Sequence, residues 1–377
     1  LMDLFSGALA AASAALRARL PDGLLAGFLC DGAIPGISAV VVFVPQIAIL
    51  FTLIGALEQS GYLPRAGAMV DRALRPFGLD GKVFIPFLSG FACAIPGVMA
   101  ARTIASEKRR LVATLLTPLM TCSARLPVYA LIIGAFIPVR SVGPFHLINL
   151  QGLVLFALYV AGVAGAILVA FIMKRISMRS SYHPLLMELP EYHWPTVRNL
   201  LTGLWERTQI FVSRVGTIIL ALMVLLWFLG SYPAPPPGAT GPAIRYSIAG
   251  MMGLGLQHLF APLGFNWQIS VALVPGFAAR EVVVAALGTV YSLTGAGSGQ
   301  IETALRPMIA HSWSLATALS LLAWYVFAPQ CLSTVVTVRR ETNTWRYPAI
   351  MVAYLFALSY VFAFVTYRIA LALGGGA

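Results

Sequence analysis

The sequence predicts an all-α, polytopic membrane bundle assembled from two inverted repeats, each containing a re-entrant or broken helix. Three observations predict it. The 377-residue chain is 59% hydrophobic and only 10% charged, with a mean hydropathy of +0.86, whereas a soluble domain carries about a quarter charged residues. Ile37–Leu57, Leu147–Met173 and Tyr347–Tyr367 hold no charged residue, and each is near or above the ~20 residues that cross a bilayer as a helix. Finally, two halves of the chain resemble each other in the order of their elements. A barrel would show short alternating segments instead.

In chain order, residues 1–22 read as a short Ala-rich interfacial helix within an N-terminal segment 1–36. The first repeat, 37–140, holds a crossing over 37–57, an amphipathic helix in "EQSGYLPRAGAMVDR", a Gly-broken apolar segment over 83–104 and a crossing over 111–136 broken at Pro118. Region 141–209 supplies the crossing 147–173 and a polar loop whose Tyr192 and Trp194 suit a membrane interface. The second repeat, 210–345, runs through a crossing over 210–230, a broken segment over 264–290 and a crossing over 313–338 interrupted at Pro329. A last crossing, 347–370, belongs to the C-terminal region 346–377.

The duplication rests on three ordered pairs. "FVPQIAILF" resembles "FVSRVGTII". "GLDGKVFIPFLSGFACAIPGVMAARTI" (78–104) aligns with "GFNWQISVALVPGFAAREVVVAALGTV" (264–290), with seven identities in 27 positions. "TPLMTCSARLP" and "APQCLSTVV" each place a cysteine after a proline. Pro96 removes a backbone donor, and Gly90 and Gly97 loosen the helix around it, so the first broken segment is expected to turn at a tip that holds Cys93 and Pro96. As a hairpin, each arm of about 11 residues climbs about 16 Å, half the hydrocarbon core. If both broken segments crossed the membrane, loop Lys and Arg would split 13 to 9 between the faces. If both turn back, Arg17, Arg19, Arg140, Arg245, Arg306 and Arg368 lie on one face and sixteen on the other, with Arg125, Arg214 and Arg280 set aside as intramembrane. The positive-inside rule favours the hairpins. Three crossings then separate corresponding points of the halves, which inverts the repeats and places residue 1 outside the cell.

The net charge of +12 follows from this loop bias, and no basic amphipathic domain accompanies it, so no nucleic-acid partner is expected. Cys30, Cys93, Cys122 and Cys331 show neither CxxC nor zinc spacing and no disulfide framework. No nucleotide-binding loop occurs. The five histidines form no i, i+4 pair. No catalytic residue is assigned.

Glu281, beside Arg280, is the one acid within an uninterrupted apolar stretch. A charge at that depth costs several kcal/mol unless paired or hydrated, so Glu281 reads as a cation ligand or gating carboxylate, or as part of a structural link to broken-helix backbone. Adjacent helical residues do not face each other, which argues against a simple pair. A lone buried cysteine is usually a small hydrophobe, yet Cys93, Cys122 and Cys331 all lie within four residues of a proline at matching breaks. Thiolates and thioethers suit borderline metals, whereas Mg or Ca needs clustered carboxylates. Cys93, Cys122, Cys331 and Glu281, with Met99 and Met120 close by, are the candidate metal ligands, against ordinary packing for the methionines. Carbonyls freed beside Pro96, Pro118 and Pro329 are further candidates. Arg125 either sets an electrostatic barrier or locks a helix break.

At these residues the sequence resembles the bacterial ferrous-iron transport protein B family in its membrane gate region. The stretches that carry the resemblance are "FVPQIAILF", "EQSGYLPRAGAMVDR", "GFACAIPGVMAARTI", "TPLMTCSARLPVYALII", "ELPEYHWPTVRNLL", "GFAAREVVVAALGTVY" and "PQCLSTVVTVRRETNTWRYP", spread over residues 24–370. The resemblance implies Fe²⁺ uptake across the bacterial inner membrane, with Cys93 and Cys331 as implicated cysteines. It also implies a GTP-binding domain and a further membrane helix upstream, so GTP would act only through a domain absent from this chain, which by itself would be no enzyme. Membrane lipid, small cytoplasmic accessory proteins and further copies of the chain are the partners it suggests. Many members have Gly-Phe-Gly-Cys where this chain has Gly90–Cys93, and Ala-Lys-Glu where it has Arg280; the latter keeps charge but changes geometry.

Two other readings compete. A nucleoside or other organic-solute transporter also suits inverted repeats with hairpins, but it needs aromatic and Asn, Gln or Ser groups at breaks that hold Cys, Pro and Ala. A membrane scaffold or receptor would make the repeat purely structural.

Overall fold

The computed structural model describes residues 11–13, 15–19, 27–77, 79–142, 148–177, 191–233, 243–278, 280, 282–291, 298–329 and 331–375. They are almost wholly helical, apart from a two-residue antiparallel ladder between Ser141–Val142 and Ile148–Asn149. Most of the interfacial segment 1–22 and the loop 292–297 lie outside the described residues. The chain divides into two units, 1–66 with 186–249, and 67–185 with 250–377.

In the first unit, Ile34–Gln59 is a 26-residue helix entered through a π-helical turn at Phe28–Ala33. Its partner begins well before the expected 210: Val197–Phe211 runs through a π-helical turn, Val212–Gly216, into Thr217–Ser231. The polar run before residue 210 alternates at helical spacing and simply extends the apolar helix beyond its hydrophobic length. The two helices run antiparallel. Arg207 meets Glu58 at 3.0 Å at one end, and Trp227 packs edge-on against Phe28 at the other. The Arg65 guanidinium lies 3.9 Å above the Tyr192 ring.

In the second unit, Glu107–Phe136, Leu150–Arg175, Leu315–Thr342 and Arg346–Ala372 are each long and apolar enough to cross a membrane. Burial separates them by kind. The most apolar windows of the two interrupted spans are 56% and 65% buried, those of the two continuous spans 22%. Interrupted backbone must find partners within the protein, whereas an intact helix can face lipid. The core beside the second break centres on Trp324, whose edge meets Phe260 and Phe356. The core beside the first packs Leu116, Leu119 and Met120 against Phe327 and Leu355.

Each broken segment folds back on itself. Phe84–Ala92 and Ala94–Ala100 are joined by a single extended residue, Cys93, at φ −155° and ψ 137°. A Cβ at Gly97 would stand 2.8 Å from the Pro86 carbonyl oxygen and 2.9 Å from the Gly90 nitrogen, so the arms touch backbone to backbone. In the second half, Trp267–Ala278 and Val282–Val290 flank Arg280, and a Cβ at Gly276 would stand 2.4 Å from Val283. Gly90 and Gly97 align with Gly276 and Val283, so the same pair of positions makes the arm-to-arm contact in both halves. The preceding helix, Ile248–Leu263, meets Trp267–Phe277 at 111°.

The turn falls at the cysteine end of the expected tip, three residues before Pro96. Pro96 sits in the first turn of Ala94–Ala100, where a missing N–H has no partner to lose. Its ring instead forbids a helical bond to the carbonyl four residues earlier, that of Ala92, and the chain breaks there.

Four contacts in the second unit join residues that straight crossings would put on opposite membrane faces. Arg109 meets Asp80 at 3.1 Å across the first broken segment, and Lys174 donates to the Pro76 carbonyl at 2.8 Å. Arg102 forms a two-point ion pair with Glu341 at 2.6 and 2.7 Å. The Arg306 Cζ lies 2.7 Å from where a Cβ of Gly134 would stand. A hydrocarbon core of about 30 Å forbids all four if the segments cross, and hairpins permit them. The ends of three spans meet around the Arg102–Glu341 pair and enclose a cleft of about 270 Å³ that Lys108 and Arg110 also line.

Candidate functional site

Both interrupted spans break at a proline, and the free carbonyls decide what gathers there. In the first, Glu107–Leu116 gives way to a 3₁₀ turn, Thr117–Leu119, then to extended backbone at Met120 and Cys122, before helix Leu126–Phe136. The first hairpin sits directly on this break. The Thr117 methyl lies 2.6 and 3.0 Å from where Cβ atoms of Gly97 and Gly90 would stand, so neither position has room for a side chain. Ser123 Oγ donates to the Ala92 carbonyl at 2.9 Å, satisfying the oxygen that Pro96 frees. That bond ties the neighbour of Cys122 to the neighbour of Cys93.

In the second, helix Leu315–Phe327 ends before Ala328 and Pro329, and Cys331 caps helix Leu332–Thr342. Its free carbonyls are taken by arginines. Arg125, fully buried, donates through Nη1 to the Val326 oxygen. Arg280, 2% exposed, donates through Nη2 to Ala328 O at 2.6 Å and to Pro329 O. A helix C-terminus carries partial negative charge, which both guanidiniums offset. Arg125 stands beyond the first break and Arg280 between the arms of the second hairpin, so this carbonyl cluster joins the two halves.

Among the described residues, which leave out Glu281 and Gln330, Arg280 Nε and Nη1 and the hydroxyls of Thr121 and Tyr325 are buried with no hydrogen-bond partner, and the Tyr129 hydroxyl lies beside the Arg125 guanidinium. Among the described residues, Arg125, Cys122, Cys331, Tyr325 and Tyr129 interact electrostatically with Arg280. The Cys331 thiol lies 3.1 Å from the Thr334 hydroxyl. All four cysteines are thiols.

The expected ligands fall into three groups. Cys93, Cys122 and Cys331 all occupy breaks, with Cys122 buried and the other two half-buried. Met120 is buried at the first break against Gly90, and Met99 is half-buried in the second hairpin arm. Glu281 lies outside the described residues. Among the described residues, no group of three or more His, Cys, Asp or Glu is assembled for a metal. Pro118 and Pro329 end their helices as expected, and Arg125 and Arg280 bind broken-helix backbone. Sequence reasoning missed Ser123, Tyr129 and Tyr325. The first follows Cys122 directly, and a hydroxyl beside a proline break signals a carbonyl partner; the tyrosines stand alone in apolar runs.

Two family models match the chain. One, described as "Gate: Nucleoside recognition", covers residues 40–136 and 212–345. The other, "Ferrous iron transport protein B C terminus", covers 155–207 between them. The chain belongs to the ferrous-iron transport protein B family. It is 37% identical over 368 residues to the Fe(2+) transporter FeoB of Leptospira interrogans (strain Fiocruz L1-130), covering 93% of this chain and 52% of that protein. It is 38% identical over 346 residues to the Fe(2+) transporter FeoB of Staphylococcus aureus (strain COL), covering 92% and 49%. A fusion of Fe(2+) transport protein A with FeoB in Porphyromonas gingivalis is 35% identical over 389 residues, covering 93% and 45%. The chain thus spans about half the length of these relatives. No solved structure matches it. Family and apolar helices together make this a multi-pass membrane protein.

Proposed function

We propose that this chain is the membrane path of a ferrous-iron uptake permease of the bacterial inner membrane. The observation that carries the reading is the meeting of two helix breaks, each holding a cysteine, at a polar centre enclosed by two hairpins, in a chain whose relatives are named Fe(2+) transporters. Fe²⁺ sheds part of its water, passes between the hairpin tips and meets Cys93, Cys122 and Cys331, with Glu281 supplying a carboxylate. Fe²⁺ stands low in the Irving–Williams order, so selectivity comes from geometry and donor type rather than affinity.

The shared arm contact at Gly90/Gly97 and Gly276/Val283 supports an inverted duplication, a common transporter architecture. No enzymatic step is assigned to the chain. Energy from GTP enters through a domain elsewhere in the full protein, and the protein A fusion in a relative supports a small cytoplasmic accessory partner. The breaks carry thiols and freed backbone carbonyls, donors that suit a borderline metal. Iron uptake by cells expressing the full protein tests the reading. Cys93→Ser with Cys331→Ser abolishes uptake at normal protein levels; undiminished, Fe-selective uptake removes the cysteines from the mechanism.

A further inference from the structure

A helix that ends inside a membrane leaves carbonyls that need a donor or a cation. The two breaks solve this differently. At the first, a neutral hydroxyl, Ser123, satisfies Ala92 O. At the second, the oxygens of Val326, Ala328 and Pro329 are held by two full positive charges brought from separate elements, Arg125 and Arg280. A neutral donor would have served to cap the helix, and it would have avoided burying two like charges within reach of each other.

We propose that these three carbonyl oxygens form a cation-binding site on the ion path, and that the guanidiniums occupy it in this conformation as tethered competitors of the transported ion. Three features support the assignment. The oxygens all lie at the negative end of one helix, and those of Ala328 and Pro329 share one donor, Arg280 Nη2. Cys331 follows them in sequence, and the Cys122 and Cys331 thiols both interact electrostatically with Arg280, which places sulfur in the same neighbourhood as the oxygens, a mixed set suited to a borderline divalent cation. Among the described residues, Arg280 Nε and Nη1 are buried without a partner, so its guanidinium is not held by a complete set of described acceptors. A divalent ion arriving at the same oxygens repels both arginines strongly in this low-dielectric setting. Binding the ion and releasing the arginines are therefore one event, and the arginines seal the path when no ion is there.

The proposal rests on the permease reading, and its test separates the two. The full protein in liposomes is compared with Arg280→Gln by Fe²⁺ and Mn²⁺ flux without nucleotide, with and without millimolar guanidinium chloride. The expected result is a leak about tenfold or more above wild type, blocked in the variant by free guanidinium. A folded, sealed variant overturns the proposal, as does a leak that guanidinium leaves untouched. A wild type that moves no Fe²⁺ under any energised condition, beside a variant with a guanidinium-blocked leak, overturns the iron reading and keeps the site. If Arg280→Gln does not fold, wild type decides: phenylglyoxal modification of Arg280, located by mass spectrometry, rises with Mn²⁺ and nucleotide. Equal modification with and without them overturns the proposal.

Discussion

Arg125, just beyond the first helix break, donates to the carbonyl of Val326 in the last turn before the second. One side chain therefore holds together two breaks that lie 201 residues apart in sequence. Arg125→Leu leaves that oxygen buried without a donor, which costs about 1–3 kcal/mol. Thermal unfolding of the purified protein in detergent reads the loss. Arg125→Lys recovers only part of it, because an ammonium lacks the planar fork.

Ser123→Ala removes the donor to Ala92 O and leaves the hairpin tip beside Cys93 unsatisfied. The expected destabilisation is about 1–3 kcal/mol, and Cys93 reacts faster with a membrane-permeant maleimide than in wild type. Unchanged stability and labelling contradict the tie between tip and break.

Gly97→Ala places a methyl 2.6 Å from the Thr117 methyl and 2.8 Å from Pro86 O. Overpacking of this kind costs about 1–3 kcal/mol. Pro96→Ala, in a first helical turn, changes stability by less, since no backbone bond depends on it. The order of the two in a thermal melt checks that the break lies at Cys93, before Pro96.

Single cysteines in place of Asp80, Lys108 and Glu341 label from the same membrane face, and one in place of Arg140 labels from the other. An impermeant maleimide applied to spheroplasts and to inverted vesicles reads this directly. Opposite sidedness of positions 80 and 108 contradicts the first hairpin.

The hydrogen bond from Arg102 to Glu341 raises the guanidinium above its ordinary range, outweighing partial burial. A raised value means that its contribution is complete below the unfolded pKa and is lost only as pH rises through the folded one. Both lie far above neutrality, so Arg102 contributes no pH dependence between about pH 6 and 9. The Arg102 side chain is exposed although that of Glu341 is largely covered, and Arg102→Gln costs about 1 kcal/mol, less at high salt. Melts across pH and salt check both statements.

Much of the fold was legible because lipid leaves few choices. Charge-free runs such as 147–173 had to be helices, and the loop arginines pointed to hairpins before Asp80–Arg109 or Arg102–Glu341 could be seen. Pro96 marked the tip because a proline disrupts the turn before it, and the carbonyl it frees is that of Ala92. At the site, composition singled out Arg125 and Arg280 as charges in apolar sequence and left their role open between barrier and lock. Their carbonyl partners lie 201 and 48 or 49 residues away, and local periodicity carries no trace of such pairings. Ser123 escaped notice for the same reason.

The central claim is that Fe²⁺ meets the cysteines of the two breaks, and iron K-edge absorption on the anaerobic, Fe²⁺-loaded full protein tests it most directly. Wild type is expected to show sulfur scatterers in the first coordination shell that disappear in Cys93→Ser/Cys122→Ser/Cys331→Ser. A wild-type shell of oxygen and nitrogen alone, unchanged in the triple variant, would contradict it.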